Sequence, residues 1–298
     1  MSGVVAIWNP ASGSAPDEAD LRAALGNNVE LVPTTEDDPG PGQARAAVDD
    51  GADIVVACGG DGTVRACLDP LAGTDTALGI VPLGTGNLLA SNLGIPPGLD
   101  AGSGVGRGQR RRIDLGRAND EAFAVMAGSG FDALMIRDAD DDVKSKIGTA
   151  AYVFSGIKNL RSDLVQTRVT IDGDVWFTGR TTMVLVGNFG EISGGLEVFP
   201  NARPDDGVLD IAVMSASSLR EWASVAWRLV RRRPQKVELA RRTQGAHIIV
   251  EHEQARPYEL DGEDRAPTRD LEFTIEPGAI TIHHRSIDHD DDHSGDAA

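Results

Sequence analysis

The chain has 298 residues, a formal net charge of −18 at pH 7 and two cysteines. This length exceeds the usual size of one hydrophobic core, so we expect two domains, with one large α/β domain as the alternative. The charge argues against non-specific binding to nucleic acid, the apolar runs are too short to span a bilayer, and Cys58 and Cys67 indicate neither a disulfide framework nor a structural zinc site.

The first part of the chain alternates short apolar strands with helical stretches. Strands are predicted at 3–8, 29–32, 52–58 and 77–82, and helices at 17–25, at 43–50 and after residue 87. Strands this short and apolar on both faces are typical of a parallel sheet that helices cover on both sides. We therefore predict a three-layer α/β domain over residues 1–113, in which ligands bind beyond the carboxyl ends of the strands.

The glycine-rich segment 101–108 is predicted to mark a domain boundary, because the pattern changes after it. Short alternating strands separated by turn residues follow, interrupted by two predicted helices near 144–160 and 217–233. This pattern indicates an antiparallel β-sandwich, which we assign to residues 114–286. Residues 287–298 are acidic and lack apolar periodicity, so we predict a disordered tail.

Unusual turns follow three strands of the first domain. In CGGDGTV, at 58–64, consecutive glycines would let backbone N–H groups approach a ligand, and the N-terminus of the following helix favours an anion. Phosphate is the natural occupant, although the two familiar phosphate-binding motifs are not matched. GxxxxGK[ST] is absent, and GxGxxG fails because Arg65 stands where its last glycine belongs. The alternative is a plain strand-to-helix turn in which Asp61 caps the helix.

PLGTGN, at 82–87, repeats the theme one strand later, and its glycines with Thr85 and Asn87 predict a second backbone cradle beside the first. NPASGSA, at 9–15, supplies a third turn with small donors. GSGFDA, at 128–133, matches GxGxxA, but no second βαβ unit surrounds it, so we interpret it as a turn. Cradles on neighbouring strands favour a bound phosphate over unrelated turns.

These motifs resemble, in their order, the diacylglycerol kinase catalytic-domain family, which includes bacterial lipid kinases and the sphingosine and ceramide kinases. NPASG, GGDGTV, PLGTGN and GSGFDA are followed by DDGVLD at 205–210 and DGE at 261–263. GGDGT alone is shared with NAD kinases and the phosphofructokinase-like group, whereas the ordered set is specific for the lipid kinases. The resemblance implies a nucleotide domain of the NAD kinase type, a β-sandwich domain and an active site in the cleft between them.

The resemblance also implies catalytic roles for three acidic residues. Asp61 would lie near the phosphates of ATP and Mg²⁺, where an aspartate binds metal, directly or through water, or fixes the loop. Glu263 would be the base for the lipid hydroxyl that attacks the γ-phosphorus, with Asp261 in support. Asp261 and Glu263 would face the same side if the backbone is extended there; the alternative is a hairpin tip, since Asp-Gly is a common type I′ turn.

The ATP and metal sites follow from the same resemblance. DDGVLD resembles a structural Mg²⁺ site in which Asp206 would supply a carboxylate and Arg203 and Val208 backbone carbonyls; the alternative is a turn that begins a strand. The residues that would line the ATP site are Asn9, Pro10, Ala11, Ser12, Gly13, Thr35, Gly59, Gly60, Asp61, Gly62, Thr63, Val64, Arg65, Ala66, Gly84, Thr85, Gly86 and Asn87.

Three residues depart from the family pattern. Arg65 and Ala66 stand where an asparagine and an acidic residue often follow GGDGT-V/L, and Leu88 follows GTGN where an aspartate is frequent. At these positions we expect a metal or nucleotide contact of the family to be missing or replaced.

A kinase for a membrane lipid must reach the bilayer, and segment 218–242 carries a suitable pattern. It has two tryptophans, apolar residues at helical spacing and a cluster of cations towards its end. This is the pattern of an interfacial helix that docks on anionic lipid. The alternative is a helix packed on the sandwich with a solvated basic end.

The sequence as a whole predicts an enzyme that uses ATP and Mg²⁺ to phosphorylate a membrane lipid, with diacylglycerol as the favoured acceptor and a sphingosine-type long-chain base as the alternative. The N-terminus lacks a secretory pattern, so we expect a cytoplasmic, peripherally membrane-associated protein with no nucleic-acid partner; a homodimer is left open. Two rivals are a non-catalytic lipid- or nucleotide-binding regulator and an NAD kinase-like enzyme for a soluble substrate. The three acidic residues argue against the first, and DGE, DDG and segment 218–242 against the second.

Overall fold

A computed structural model describes residues 3–11, 15–106, 108–130, 164–192, 196–216, 221 and 240–284. The predicted helix near 144–160 and the predicted tail at 287–298 lie outside the described residues. So does the helix predicted near 217–233, apart from residue 221.

Four strands and four helices alternate in the first part of the chain, as the sequence predicts. The strands are β1 (Val4–Trp8), β2 (Val29–Pro33), β3 (Ile54–Gly59) and β4 (Ala77–Pro82). The helices are α1 (Glu18–Leu25), α2 (Pro41–Asp49), α3 (Asp61–Leu71) and α4 (Leu88–Asn92), and a 3₁₀ helix covers Leu99–Gly104 in the glycine-rich segment.

The four strands form a parallel sheet in the order β4-β3-β1-β2, with helices on both faces. Alternate residues of a strand point to opposite faces. Accordingly, Val55 packs in one core with α2 and α3, whereas Val56 packs in another with Leu21 of α1. The predicted three-layer α/β architecture is confirmed, and all four strands end at the same edge of the sheet.

The second part of the chain is made of strands in the ranges that the structure describes. They are β5 (Gln109–Ala118), β6 (Glu121–Phe123), β7 (Met126–Ser129), β8 (Val165–Ile171), β9 (Asp174–Thr181), β10 (Met183–Gly187), β11 (Glu191–Ile192), β12 (Leu196–Glu197), β13 (Leu209–Met214), β14 (Ala240–Gly245), β15 (His247–Leu260) and β16 (Glu263–His284).

These strands pair antiparallel, in the order β14-β13-β10-β7-β15-β16, and β8 pairs with β15 and β9. Their inward residues form a core of their own, in which Phe123 meets Phe273 edge to face with ring centroids 6.3 Å apart. Aromatic pairs prefer this geometry to direct stacking. The antiparallel, β-rich character predicted for this region is thus confirmed.

Strand β16 is longer than predicted and connects the two parts. The sequence suggests separate strands on either side of Pro277 and Gly278, but the structure has one strand of 22 residues with an irregular register between Glu276 and Ile280. Near its end, Thr281 and Ile282 pair in parallel with β4. The last described strand therefore returns to the sheet of the first part, while the boundaries at residues 113 and 286 stay a prediction.

Candidate functional site

The glycines of CGGDGTV are packed against other parts of the protein. A β-carbon on Gly84 would lie 2.5 Å from the Cα of Gly60, so GGDGT and PLGTGN touch backbone to backbone. A β-carbon on Gly62 would lie 2.7 Å from Oε1 of Glu263, and one on Gly59 would overlap the side chain of Thr63. Internal packing thus accounts for these glycines, and the approach of a phosphate to the same turn stays a prediction.

Asp61 ties the two glycine loops together. It is the first residue of α3 and does not cap that helix, because Gly60 holds the cap position and the Oδ1 of Asp61 accepts the backbone N–H of Leu88 at the start of α4. Burial raises the pKa of Asp61, the N–H groups of Leu88 and Asn87 oppose the rise, and the charge of Glu263 adds to it. A role in fixing the loop is therefore visible, whereas metal binding by Asp61 stays a prediction.

The PLGTGN turn is closed by its own asparagine. Asn87 has a left-handed backbone with φ of 47°, its Oδ1 accepts the N–H of Gly84 at 3.0 Å, and its Nδ2 donates to the carbonyl of Gly84 at 2.6 Å. The amide is thus used partly within the loop, while Thr85 and Gly86 are exposed at the tip.

The remaining predicted ATP-site residues lie at the same edge of the sheet, where they are described. Asn9 follows β1 and accepts the N–H of Ala11 at 2.9 Å, with Pro10 between them. Thr35 follows β2 and accepts the N–H of Asp38 at 3.1 Å. Ala66 lies beside Gly40 at the start of α2, and Val64 is buried in the core. Ser12 and Gly13 lie outside the described residues.

Asp261 is held by backbone rather than by Glu263. Its carboxylate accepts the N–H groups of Ala124, Val125 and Met126 at 2.7 to 2.9 Å. Burial raises the pKa of Asp261 to about 6, those N–H groups oppose the rise, and the charge of Asp61 adds to it. These contacts anchor the DGE turn on the segment between β6 and β7.

The DGE segment is a hairpin tip, as the alternative interpretation had it. Asp261 and Gly262 have φ of 48° and 84°, and Leu260 pairs with Glu263 across the turn. The backbone is therefore not extended, and Asp261 and Glu263 do not project from one side of a strand. Two consecutive residues with positive φ are the mark of a type I′ turn.

Glu263 projects from this hairpin onto the N-terminus of α3. Its Oε2 forms an ion pair with Arg65 of α3 and lies 3.5 Å from Nη1 of Arg265, while its Oε1 faces Gly62. Glu121 completes the group, because its Oε2 lies 2.7 Å from Nε of Arg265 and 3.7 Å from Nη1 of Arg65. Glu263, Arg65 and the GGDGT turn thus meet where the two parts of the chain adjoin.

The DDGVLD turn is anchored by an aspartate that sequence reasoning missed. Asp114 is buried, and its carboxylate accepts the N–H groups of Gly207 and Gly278, each at 2.7 Å. Asp206 is exposed and accepts the N–H of Val208 at 3.2 Å. The local signal for Asp114 was an acidic residue between the apolar Ile113 and Leu115 of β5. The Mg²⁺ site of Asp206, Arg203 and Val208 stays a prediction.

Sequence reasoning also missed Glu259, Glu121 and Arg265. Glu259 is buried on β15 opposite Gly128, and burial raises the pKa of its carboxyl group to about 7, with the charges of Asp261 and Asp264 adding to the rise. Glu121 and Arg265 belong to the ion-pair group around Glu263. Glu259 and Arg265 flank the DGE turn in the same hairpin but lie outside the motif, whereas Glu121 comes from a distant part of the chain.

Membrane and metal features can be stated for the described ranges only. There, no helix is long and apolar enough to cross a membrane. Nor does that part of the chain hold three or more histidine, cysteine, aspartate or glutamate side chains grouped to bind a metal ion. Segment 218–242 lies almost wholly outside those ranges. Cys58 and Cys67 are buried free thiols, and burial raises the pKa of both.

Two family models match the chain, one for each part. Residues 3–118 match the diacylglycerol kinase catalytic domain, and residues 125–284 match the YegS C-terminal NAD kinase beta sandwich-like domain. The chain is 33% identical to a protein named probable lipid kinase YegS-like from Pseudomonas syringae pv. syringae, over 77% of this chain and 75% of that protein. It is 34% identical to a diacylglycerol kinase from Mycobacterium tuberculosis, over 72% of this chain and 74% of that protein.

Solved structures share the fold. A putative diacylglycerol kinase from Bacillus anthracis superposes with a TM-score of 0.77 at 24% identity, over 95% of each chain. An NAD kinase from Archaeoglobus fulgidus in complex with ATP superposes with a TM-score of 0.54 at 12% identity, over 95% of this chain and 94% of that one. The predicted NAD kinase-like fold with a β-sandwich domain is confirmed.

Proposed function

Because the chain belongs to the diacylglycerol kinase family of lipid kinases, we propose that it transfers the γ-phosphate of ATP to the hydroxyl of diacylglycerol, which gives phosphatidic acid. The observation that carries the proposal is the meeting of Asp61 and Glu263 at the N-terminus of α3. Two carboxylates from distant parts of the chain thus flank the turn where a phosphate is expected.

The residues at this turn suit a nucleotide with its metal ion. The cap residue of α3 is Gly60, which has no side chain, and its carbonyl accepts the N–H groups of Thr63 and Val64. The positive end of the helix dipole at this turn favours an anion. Asp61 supplies the hard carboxylate oxygen that Mg²⁺ prefers. When bound, Mg²⁺ would spread the charge that develops on the phosphates. These features support ATP and Mg²⁺ as the cofactors.

Glu263 is proposed to act as the general base. As the acceptor oxygen forms its bond to the γ-phosphorus, the hydroxyl proton passes to Glu263, and the bond from that phosphorus to the β–γ bridging oxygen breaks, which releases ADP. Asp261 supports this step from a distance, because it anchors the hairpin that carries Glu263.

Diacylglycerol is favoured as the acceptor because the relative from Mycobacterium tuberculosis carries that name at 34% identity. A long-chain base is the second candidate within the same reaction. Since either lipid resides in a bilayer, we propose that the enzyme works at the membrane surface.

The test is transfer of labelled γ-phosphate from ATP, with Mg²⁺, to a panel of lipids in mixed micelles, with NAD in a parallel tube. We expect label on diacylglycerol, reduced roughly 10²- to 10⁴-fold in Glu263→Gln, the range typical of a lost general base. Label on a long-chain base would change the acceptor, and label on NAD would replace the lipid proposal. ATP binding without transfer to any acceptor would favour a non-catalytic regulator.

A further inference from the structure

Arg65 occupies a position where its side chain reaches the second part of the chain. It lies one turn into α3, only a quarter of its side chain is exposed, and its Nη2 forms an ion pair with Oε2 of Glu263. Its Nη1 lies 3.7 Å from Oε2 of Glu121. Arg65, one of the three residues that depart from the family pattern, thus contacts the proposed base directly.

The two carboxylate oxygens of Glu263 have different surroundings. Oε2 receives both Arg65 and Arg265. Oε1 faces Gly62, where a β-carbon would lie 2.7 Å away, and no group in the described ranges donates to it. One oxygen is therefore an anchor, and the other is presented to the N-terminus of α3, where the phosphate is expected.

Glu121 contacts the guanidinium groups of both Arg65 and Arg265. It lies at the start of β6, pairs closely with Arg265 and more loosely with Arg65, and so keeps both cations on the Oε2 side of Glu263. A planar guanidinium with fixed donors orients a carboxylate better than a flexible ammonium does. The arrangement restricts the rotation of Glu263 in a way that one surface ion pair would not.

We infer that Arg65 is a positioning residue, which fixes Oε2 of Glu263 so that Oε1 points at the acceptor hydroxyl over Gly62. This inference rests on the proposed function, because it assigns a task to the base of that reaction. A misplacement of about 1 Å in a reacting group lowers a rate by roughly 10²-fold. Loss of Arg65 should consequently slow the chemical step and leave nucleotide binding intact.

The competing assignment is that Arg65 binds a phosphate of ATP. Its Nε is buried without a partner in the described part of the chain, and a free donor of this kind suits an anion. The two assignments differ in their kinetics. A phosphate ligand lost from the ground state raises KM for ATP, whereas a lost positioning contact lowers kcat.

The experiment measures kcat and KM for ATP in the wild type, Arg65→Ala and Arg65→Lys, with Arg22→Ala as a matched control. Arg22 is a helical arginine in a surface ion pair with Glu18, away from the site. We expect Arg65→Ala to lower kcat roughly 10- to 100-fold with KM for ATP within about twofold. Added guanidinium, below denaturing concentrations, should restore part of kcat in Arg65→Ala, and Arg22→Ala should match the wild type.

The outcomes distinguish failure of the inference from failure of the proposed function. Unchanged kcat in Arg65→Ala, or a raised KM with unchanged kcat, overturns the inference while wild-type lipid phosphorylation still supports the proposed function. Absence of lipid phosphorylation in the wild type overturns the proposed function and, with it, the inference.

Gly62→Ala provides a second test in case Arg65→Ala does not fold. Alanine is favourable at this helical position, and the atom it would meet is a side-chain oxygen of Glu263 rather than backbone, so the fold should persist while Oε1 is displaced against its ion pairs. We expect unchanged or higher Tm and a kcat lowered roughly 10-fold. Full kcat in Gly62→Ala would contradict the placement of Oε1 on which the inference depends.

Discussion

Four acidic side chains near the DGE hairpin have different surroundings, and those surroundings decide what each one does. Asp261 is enclosed by backbone N–H groups, Asp61 joins two loops, and Glu263 is held through one oxygen by arginines. Glu259 makes no hydrogen bond or ion pair with the described residues, although it is buried beside Asp261. A buried carboxyl group without a partner favours its neutral form.

Glu259 should make the stability of the fold depend on pH. Burial raises its pKa from 4.5 to about 7, so the folded state binds the proton more tightly than the unfolded state does. Stability from this group is complete below the unfolded pKa and is lost as pH rises through the folded value. We therefore expect Glu259→Gln to stabilise the protein at pH 8, on the order of 1 to 3 kcal/mol, with little effect at pH 4.5.

Thermal unfolding at both pH values measures this effect. The matched control is Glu253→Gln, an exposed glutamate on the same strand β15. Equal changes of Tm in the two variants at pH 8 would show that Glu259 is not the source.

At the scale of the elements, the two glycine loops form one unit. GGDGT begins α3 and PLGTGN leads into α4, and they are joined by the backbone contact of Gly60 with Gly84 and by Asp61. Asn92 at the end of α4 exchanges two hydrogen bonds with the backbone of Glu191, which connects this unit to β11. The geometry of the proposed ATP site therefore depends on loop–loop packing.

Gly84→Ala should separate the two loops. The new methyl group would overlap the Cα of Gly60, which cannot move as a flexible side chain would. Overpacking of this kind costs about 1 to 3 kcal/mol, and we expect weaker ATP binding as well. Chemical denaturation and calorimetric titration with ATP measure the two effects. Gly3→Ala is the control, since its β-carbon would meet only an ordinary contact at 3.6 Å. Unchanged ATP affinity in Gly84→Ala would separate the loop contact from nucleotide binding.

Segment 218–242 is proposed to dock on the bilayer. Neutralising Arg231, Arg232 and Arg233 together should weaken binding to vesicles rich in anionic lipid, because each cation near such a surface contributes about 1 kcal/mol. Vesicle co-sedimentation measures the change, with Arg22→Ala as the control for loss of charge elsewhere. Equal binding by the triple variant and the wild type would favour a helix packed on the sandwich.

At the scale of the whole molecule, strand pairing joins the two parts of the chain, and the net negative charge opposes their compact state. Strand β16 pairs with strands of both parts, so the two sheets are continuous through one element. Because the net charge is −18, the acidic side chains on the surface repel one another. Salt screens repulsion between exposed charges, with a Debye length that falls from about 10 Å at 0.1 M to about 3 Å at 1 M.

We expect Tm to rise when KCl is increased from about 0.1 M to about 1 M, because screening relieves this repulsion. The variant Glu36→Gln with Asp37→Asn, at two exposed positions, lowers the magnitude of the charge from −18 to −16 and should show a smaller rise. Scanning calorimetry measures both. A Tm that falls with salt would indicate that attractive pairs, such as Arg117 with Glu276, outweigh the repulsion.

Apart from the continuous strand β16, the sequence was sufficient for the described strands and for the two glycine turns of the site. Apolar runs and the spacing of glycines predicted β1 to β4, the antiparallel strands and the GGDGT and PLGTGN turns, because these depend on periodicity and on local backbone conformation. The DGE hairpin was only the alternative to an extended segment. The sequence did not predict which side chains from other elements contact each motif. Asp114 and Glu121 belong to no motif, since strand pairing across long sequence separations brings them to the DDGVLD turn and to Glu263.

The sequence by itself determined the fold class, the lipid-kinase family and the acidic residues on which catalysis is expected to depend. Only the tertiary structure decided how those residues are used: it turned Asp261 into the backbone anchor of the hairpin, made Asp61 the link between two loops, and paired Glu263 with Arg65. The physical reason is that motifs record local conformation, whereas the contacts that orient a side chain come from other elements that the fold brings together.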